Sequence, residues 1–124
     1  MMASDKFIDI DLIKKPSNII ADTGFDVLTH AIEAYVSINS TDYSDIYAEK
    51  AIEYVFKYLS RSYNNNEDIE AKEKMHIASC MAGIAFNSSD LGINHSMAHI
   101  IGAARFNIPH GRINSIITTI CYRI

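Results

Sequence analysis

Apolar residues recur every three or four positions along most of this chain, the period of a helix buried on one side. Ile20, Phe25, Leu28, Ile32, Tyr35 and Val36 fall on one such stripe and predict a helix over 23–37. The polar stretch Asn39 to Asp42 offers N-caps for a second helix over 43–62, whose apolar stripe includes Ile46, Ile52, Val55, Phe56 and Leu59. Asn64, Asn65 and Asn66 form a loop. A third helix over 67–87 opens on Glu67, Asp68 and Glu70, where the helix dipole favours negative charge. It becomes wholly apolar around Ala78–Phe86, so its far end is expected to be buried. Ser88 to Ile93 reads as a second loop, with Gly92 free to take a positive φ. Helices over 94–104 and 111–123 follow, separated by Asn107, Ile108 and Pro109. The last carries Ile113, Ile116, Ile117, Ile120 and Ile124 on one face, with Asn114, Ser115, Thr118 and Tyr122 on others. Only FIDIDLI, residues 7–13, alternates like a short strand or extended segment, and Pro16 then favours a turn or helix start. The predicted class is all-α.

Composition narrows the function classes. At 124 residues the chain suits one domain, and 48% hydrophobic against 21% charged residues excludes disorder over most of its length. The formal net charge is −4 and no basic cluster exceeds Lys14–Lys15, so no nucleic-acid partner is expected. No apolar run reaches the roughly 20 residues of a membrane span. Met1 to Lys6 has neither a basic nor an apolar leader region, so a cytoplasmic protein away from membranes is expected. Cys80 and Cys121 stand apart in apolar surroundings and read as two reduced, buried thiols.

The candidate chemistry lies in four of the five histidines and one aspartate. Asp26 and His30, four apart on a predicted helix, project from one face, and His95 and His99 repeat that spacing. His110 follows Pro109 at the start of the last helix. His76 reads as an ordinary residue on the polar side of the third helix. A carboxylate with several imidazoles on rigid helices suits Zn(II) or Fe(II). An Asp/His pair four apart is nonetheless more often a hydrogen-bonded ion pair, and spacing alone does not choose among the candidates.

Three blocks supply a further signal. ADTGFDVLTHAIEAYVS (Ala21–Ser37), AGIAFNSSDLGINHSMAH (Ala82–His99) and IPHGRINSI (Ile108–Ile116) resemble successive signature blocks of the iron-dependent (group III) alcohol dehydrogenases, in that family's order. The resemblance implies a dehydroquinate-synthase-like helical domain. It makes Asp26, His30, His95 and His110 the metal ligands, for Fe(II) or else Zn(II). His99 matches a histidine lining the cleft near the nicotinamide. It also implies NAD(P)-linked oxidation of a small primary alcohol, or reduction of the aldehyde. The NHSMAH and PHGRIN wording is most similar to members that handle propanol, propanediol or ethanolamine-derived aldehydes.

The chain departs from that family's pattern in its missing glycine-rich motif, in a shortened segment before Pro16 and in stopping at Ile124, where the family continues into further helices. It contains no G-x-G-x-x-G and no glycine-rich run, so the platform for the nicotinamide cofactor is not expected within it. Residues 1–15 read as a remnant of an interdomain segment, and 16–124 as a helical metal-binding domain incomplete at its C-terminal end. The rival expectation is an inactive fragment that binds metal or associates with other subunits. A metal-dependent hydrolase is a third, less supported by the absence of HExxH and of an adjacent His-Asp dyad. The isoleucine face of the last helix is expected to be covered in a homo-oligomer or by local rearrangement.

Overall fold

The computed structural model describes residues 16–90, 92–103 and 108–122; the FIDIDLI segment and Ile124 lie outside them. Among the described residues there are five helices and no strand: α1 (Ser17–Tyr35), α2 (Asp42–Asn64), α3 (Ile69–Ser89), α4 (Ile93–Ala103) and α5 (His110–Tyr122). The expected class, order and number of elements therefore hold. Helix α1 starts directly after Pro16, six residues before the predicted start, and its first three residues, Ser17 to Ile19, are solvent-exposed. Helix α2 starts at a capping box: Thr41 Oγ1 accepts from the Ser44 N–H at 3.2 Å, and Ser44 Oγ accepts from the Thr41 N–H at 2.8 Å. Helix α3 is capped by Asp68, which accepts from the Ala71 N–H at 3.0 Å.

Helices α1, α2 and α3 form an up-down-up bundle with three stacked layers. Leu28, Val55 and Ala78 make one, Ala31, Ala51 and Ala82 the next, and Ala34, Ala48 and Ala85 the third. Alanine at seven of these nine positions lets the helix axes approach closely, since interaxial distance follows side-chain size. The larger apolar residues are consequently displaced outward. Ile46 and Phe56 are 66% and 67% exposed, although both belong to the predicted stripe of α2. Phe25 and Phe56 instead flank an apolar groove of about 410 Å³ between α1 and α2.

Three further expectations are corrected. The far end of α3 is buried on its alanine face only, and Ile84 is exposed. Cys80 and Cys121 are exposed free thiols, because each sits on a helix face turned away from its packing partner. No described glycine has a positive φ; Asp90, the residue after α3, takes it instead (φ 63°).

Helix α5 is held between α1 and α4 and so buries two faces. Ile113 and Ile117 pack on Ala98 and Ile101 of α4. Asn114 and Thr118, read above as lying off the apolar face, are buried against α1. Two of the isoleucines expected to need another chain are thus covered within this one, while Ile116 and Ile120 stay exposed. No described helix is long and apolar enough to cross a membrane.

Candidate metal centre

Four of the five histidines gather with Asp26 where α1, α4 and α5 converge. Gly111 permits the approach of α5 to α1: a Cβ there would overlap the Asp22 carbonyl oxygen and press on Asp26 Cβ. Arg112, next along, forks onto the Asp22 carboxylate through Nε at 3.1 Å and the terminal guanidinium nitrogen at 3.0 Å. With α5 fixed this way, His110 at its first residue stands over Asp26.

Asp26, His95 and His110 bring one ligand atom each within 4.8 Å of one another. His95 Nε2 and His110 Nε2 lie 3.9 Å and 3.8 Å from Asp26 Oδ1. The Asn114 side-chain nitrogen stands among them, 2.6 Å from Asp26 Oδ1, 3.1 Å from His95 Nε2 and 3.0 Å from His110 Nε2. An amide has two protons to offer, so three acceptors around one NH₂ exceed what it can satisfy. That surplus of lone pairs on one carboxylate and two imidazoles fits a divalent cation.

His30 flanks this group, one turn along α1 from Asp26. Its Nδ1 donates to the Asp26 carbonyl at 2.7 Å, and its ring centroid lies 4.0 Å from that of His95 and 4.9 Å from Phe86. Burial first, then the neighbouring His95, lowers its pKa below the ordinary imidazole value. A neutral ring donating at Nδ1 keeps a lone pair on Nε2. His110 is likewise lowered, by burial and then, against the opposing pull of Asp26, by His95 and His99. His99 is exposed, with its ring 4.8 Å from His110, on the open side of the group. His76, on α3, is exposed and takes no part.

Two buried residues escaped the reading of the sequence. Glu33, 1% exposed, bonds His95 Nδ1 and accepts from the backbone N–H groups of Asn94 at 2.7 Å and His95 at 3.3 Å. Burial raises its pKa, but these donors together hold it below the usual carboxylate value. Asn114, fully buried, accepts from Asn94 Nδ2 at 3.1 Å, which aims its own NH₂ at the ligands. Spacing held a signal for both. Glu33 lies seven residues after Asp26 and three after His30, and Asn114 lies four after His110, each on the face of a candidate ligand.

The family model described as "Fe-containing alcohol dehydrogenase family, C-terminal" matches residues 20–124. The chain is 56% identical over 97 residues to aldehyde-alcohol dehydrogenase 2 of Entamoeba histolytica, covering 78% of this chain and 11% of that protein. It is 45% identical over 108 residues to the 1-propanol dehydrogenase PduQ of Citrobacter freundii, covering 87% and 29%. Among solved structures it matches 1,3-propanediol oxidoreductase with a TM-score of 0.82 at 40% identity, over 86% of this chain and 28% of that one. The sulfoacetaldehyde reductase from Bifidobacterium kashiwanohense, solved with NAD+, matches with a TM-score of 0.87 at 34% identity, over 93% and 31%. The chain thus spans between about a tenth and a third of the relatives it matches. With the family model running from the second turn of α1 to the end of the chain, this protein belongs to the Fe-containing alcohol dehydrogenase family, in the family's C-terminal helical part.

Proposed function

We propose that this chain is the metal-binding part of an NAD(P)-linked alcohol dehydrogenase that interconverts a small primary alcohol and its aldehyde. The convergence of Asp26, His95 and His110 carries the reading. Asp26, His30, His95 and His110 would hold Fe(II), or Zn(II) in its place. When bound, such a metal supplies a Lewis acid for the substrate oxygen. The protein's own part is to orient and to exclude water. Asn114 and Glu33 hold the ligands in register, and His99, on the open side, is placed to orient the nicotinamide or to pass a proton to solvent. The names of the relatives, 1-propanol dehydrogenase and 1,3-propanediol oxidoreductase, support a short-chain alcohol. A cytoplasmic homo-oligomer belongs to the same reading, its association now resting on the exposed Ile116 and Ile120.

The second reading, a metal-binding or subunit-association module without activity of its own, is favoured by the lack of any dinucleotide fingerprint in these 124 residues. Metal titration and NAD-dependent turnover of 1-propanol, measured on the same sample, separate the two. Tight binding of one Fe(II) or Zn(II), lost in Asp26→Ala and in His110→Ala, is expected. Turnover is expected only with a nicotinamide-binding domain present. Failure of the chain to bind either metal would refute the metal assignment, and turnover by the isolated chain would refute the modular reading.

A further inference from the structure

We propose that Glu33 is a positioning residue for the metal: from α1 it holds His95 on α4 in the one tautomer whose Nε2 lone pair faces Asp26 and His110. The assignment rests on the metal-centre reading above. Glu33 is among the largest fully buried side chains, and no lysine or arginine among the described residues pairs with it. Its charge is met instead at the start of α4. Oε1 accepts from the Asn94 N–H at 2.7 Å, and Oε2 accepts from the His95 N–H at 3.3 Å and from His95 Nδ1. An ionised carboxylate only accepts, so the proton of that last bond belongs to Nδ1. A neutral imidazole carries one N–H, which leaves the lone pair on Nε2, 3.9 Å from Asp26 Oδ1.

The surroundings are built around this carboxylate. A Cβ at Gly92 would come 2.7 Å from Glu33 Oε1, so a side chain there would displace it. Glu33 also lies two helical turns beyond Asp26. One helix therefore supplies a ligand and aims the ligand of another, so a rotation of α1 would disturb both together. A carboxylate that merely capped α4 would need the two backbone N–H groups and not the imidazole. Partners of this kind, behind a ligating histidine, typically change metal affinity 10–100-fold when lost.

The test compares the full chain with Glu33→Gln, which keeps the side chain's shape and one acceptor oxygen but can present an NH₂ to Nδ1. Nitrogen-15 NMR of the metal-free proteins at neutral pH reads the His95 tautomer, and competition with a chromophoric chelator reads the Zn(II) Kd. The expected result is Nδ1–H in the parent chain, a shift to Nε2–H in E33Q, and a Kd roughly 10–100-fold weaker in the variant. A folded E33Q with parental tautomer and Kd would overturn the role of Glu33 alone. A parent chain that binds no Zn(II) would overturn the metal reading and this proposal with it. If E33Q does not fold, the parent tautomer decides: Nε2–H there refutes the proposal and Nδ1–H supports it.

Discussion

Thr29 and Thr118 meet hydroxyl to hydroxyl at 2.9 Å, buried, across 89 residues of chain. Thr29 gives its proton to the Phe25 carbonyl at 2.9 Å, so Thr118 is the donor within the pair. The contact pins α5 to α1 about two turns beyond His110, while Arg112 and Asp22 pin it near the first turn. Thr118→Val should cost about 1 kcal/mol, the net worth of one hydrogen bond, since Thr29 keeps its bond to Phe25. Urea denaturation measures this, and an unchanged midpoint would show that the pair contributes nothing.

Gly111 and Gly83 should respond oppositely to alanine. At Gly111 the new methyl meets the Asp22 backbone, which cannot step aside, so Gly111→Ala should cost about 1–3 kcal/mol and loosen α5 from α1. At Gly83, inside α3, nothing lies within 4 Å of the added Cβ. Gly83→Ala should therefore stabilise by up to about 1 kcal/mol through helix propensity. Paired thermal melts check the sign of each, and a stabilised G111A would contradict the packing described for α5.

The capping box at the start of α2 predicts a local effect. Thr41→Ala removes the acceptor of the Ser44 N–H, and about 1 kcal/mol of stability should go with it. Thr41→Ser retains the oxygen and should lose much less. Equal losses in the two variants would argue against the cap as the cause.

Asp68 gives a pH dependence whose direction follows from its partners. The Ala71 N–H and then the Arg61 guanidinium hold its carboxyl below the usual carboxylate range. The unfolded chain therefore takes up this proton at a higher pH than the folded one. The stabilisation is fully present above the ordinary carboxyl pKa and is lost as pH falls through the depressed value. The gap in Tm between the parent chain and Asp68→Ala should accordingly narrow between about pH 5 and pH 2. A gap that widened on acidification would reverse the assigned sign.

Removal of metal should leave the three-helix bundle in place and loosen the junction of α4 and α5. The alanine layers of α1, α2 and α3 involve none of the ligands' side chains, whereas His95 and His110 come from the other two helices. Hydrogen exchange with and without Zn(II) should show the added protection concentrated in 93–103 and 110–122. Uniform protection across the chain would point to binding elsewhere.

The order and type of the five helices can be read from the chain because their signals are local. Pro16, Thr41 and Asp68 mark beginnings, and the apolar period marks bodies. The three blocks carrying the family resemblance are equally local, and the match over residues 20–124 agrees with them. Which face of each helix is buried could not be read that way. Phe56 and Ile46 satisfy the apolar period of α2 better than Ala48 and Ala51 do, yet the alanines form the core because three helices this close have room only for small side chains. Asp26 and His30 show the same limit at the centre. Equal spacing marked both, but the fold sets Asp26 with His95 and His110 while His30 bonds its own helix. Glu33 and Asn114 had no signal beyond sharing a face with a ligand; the α4 partners of Glu33 lie 61–62 residues away, and Asn114 reaches Asp26 across 88. Periodicity tells which side chains share a face of one helix; only packing against distant segments decides what that face meets.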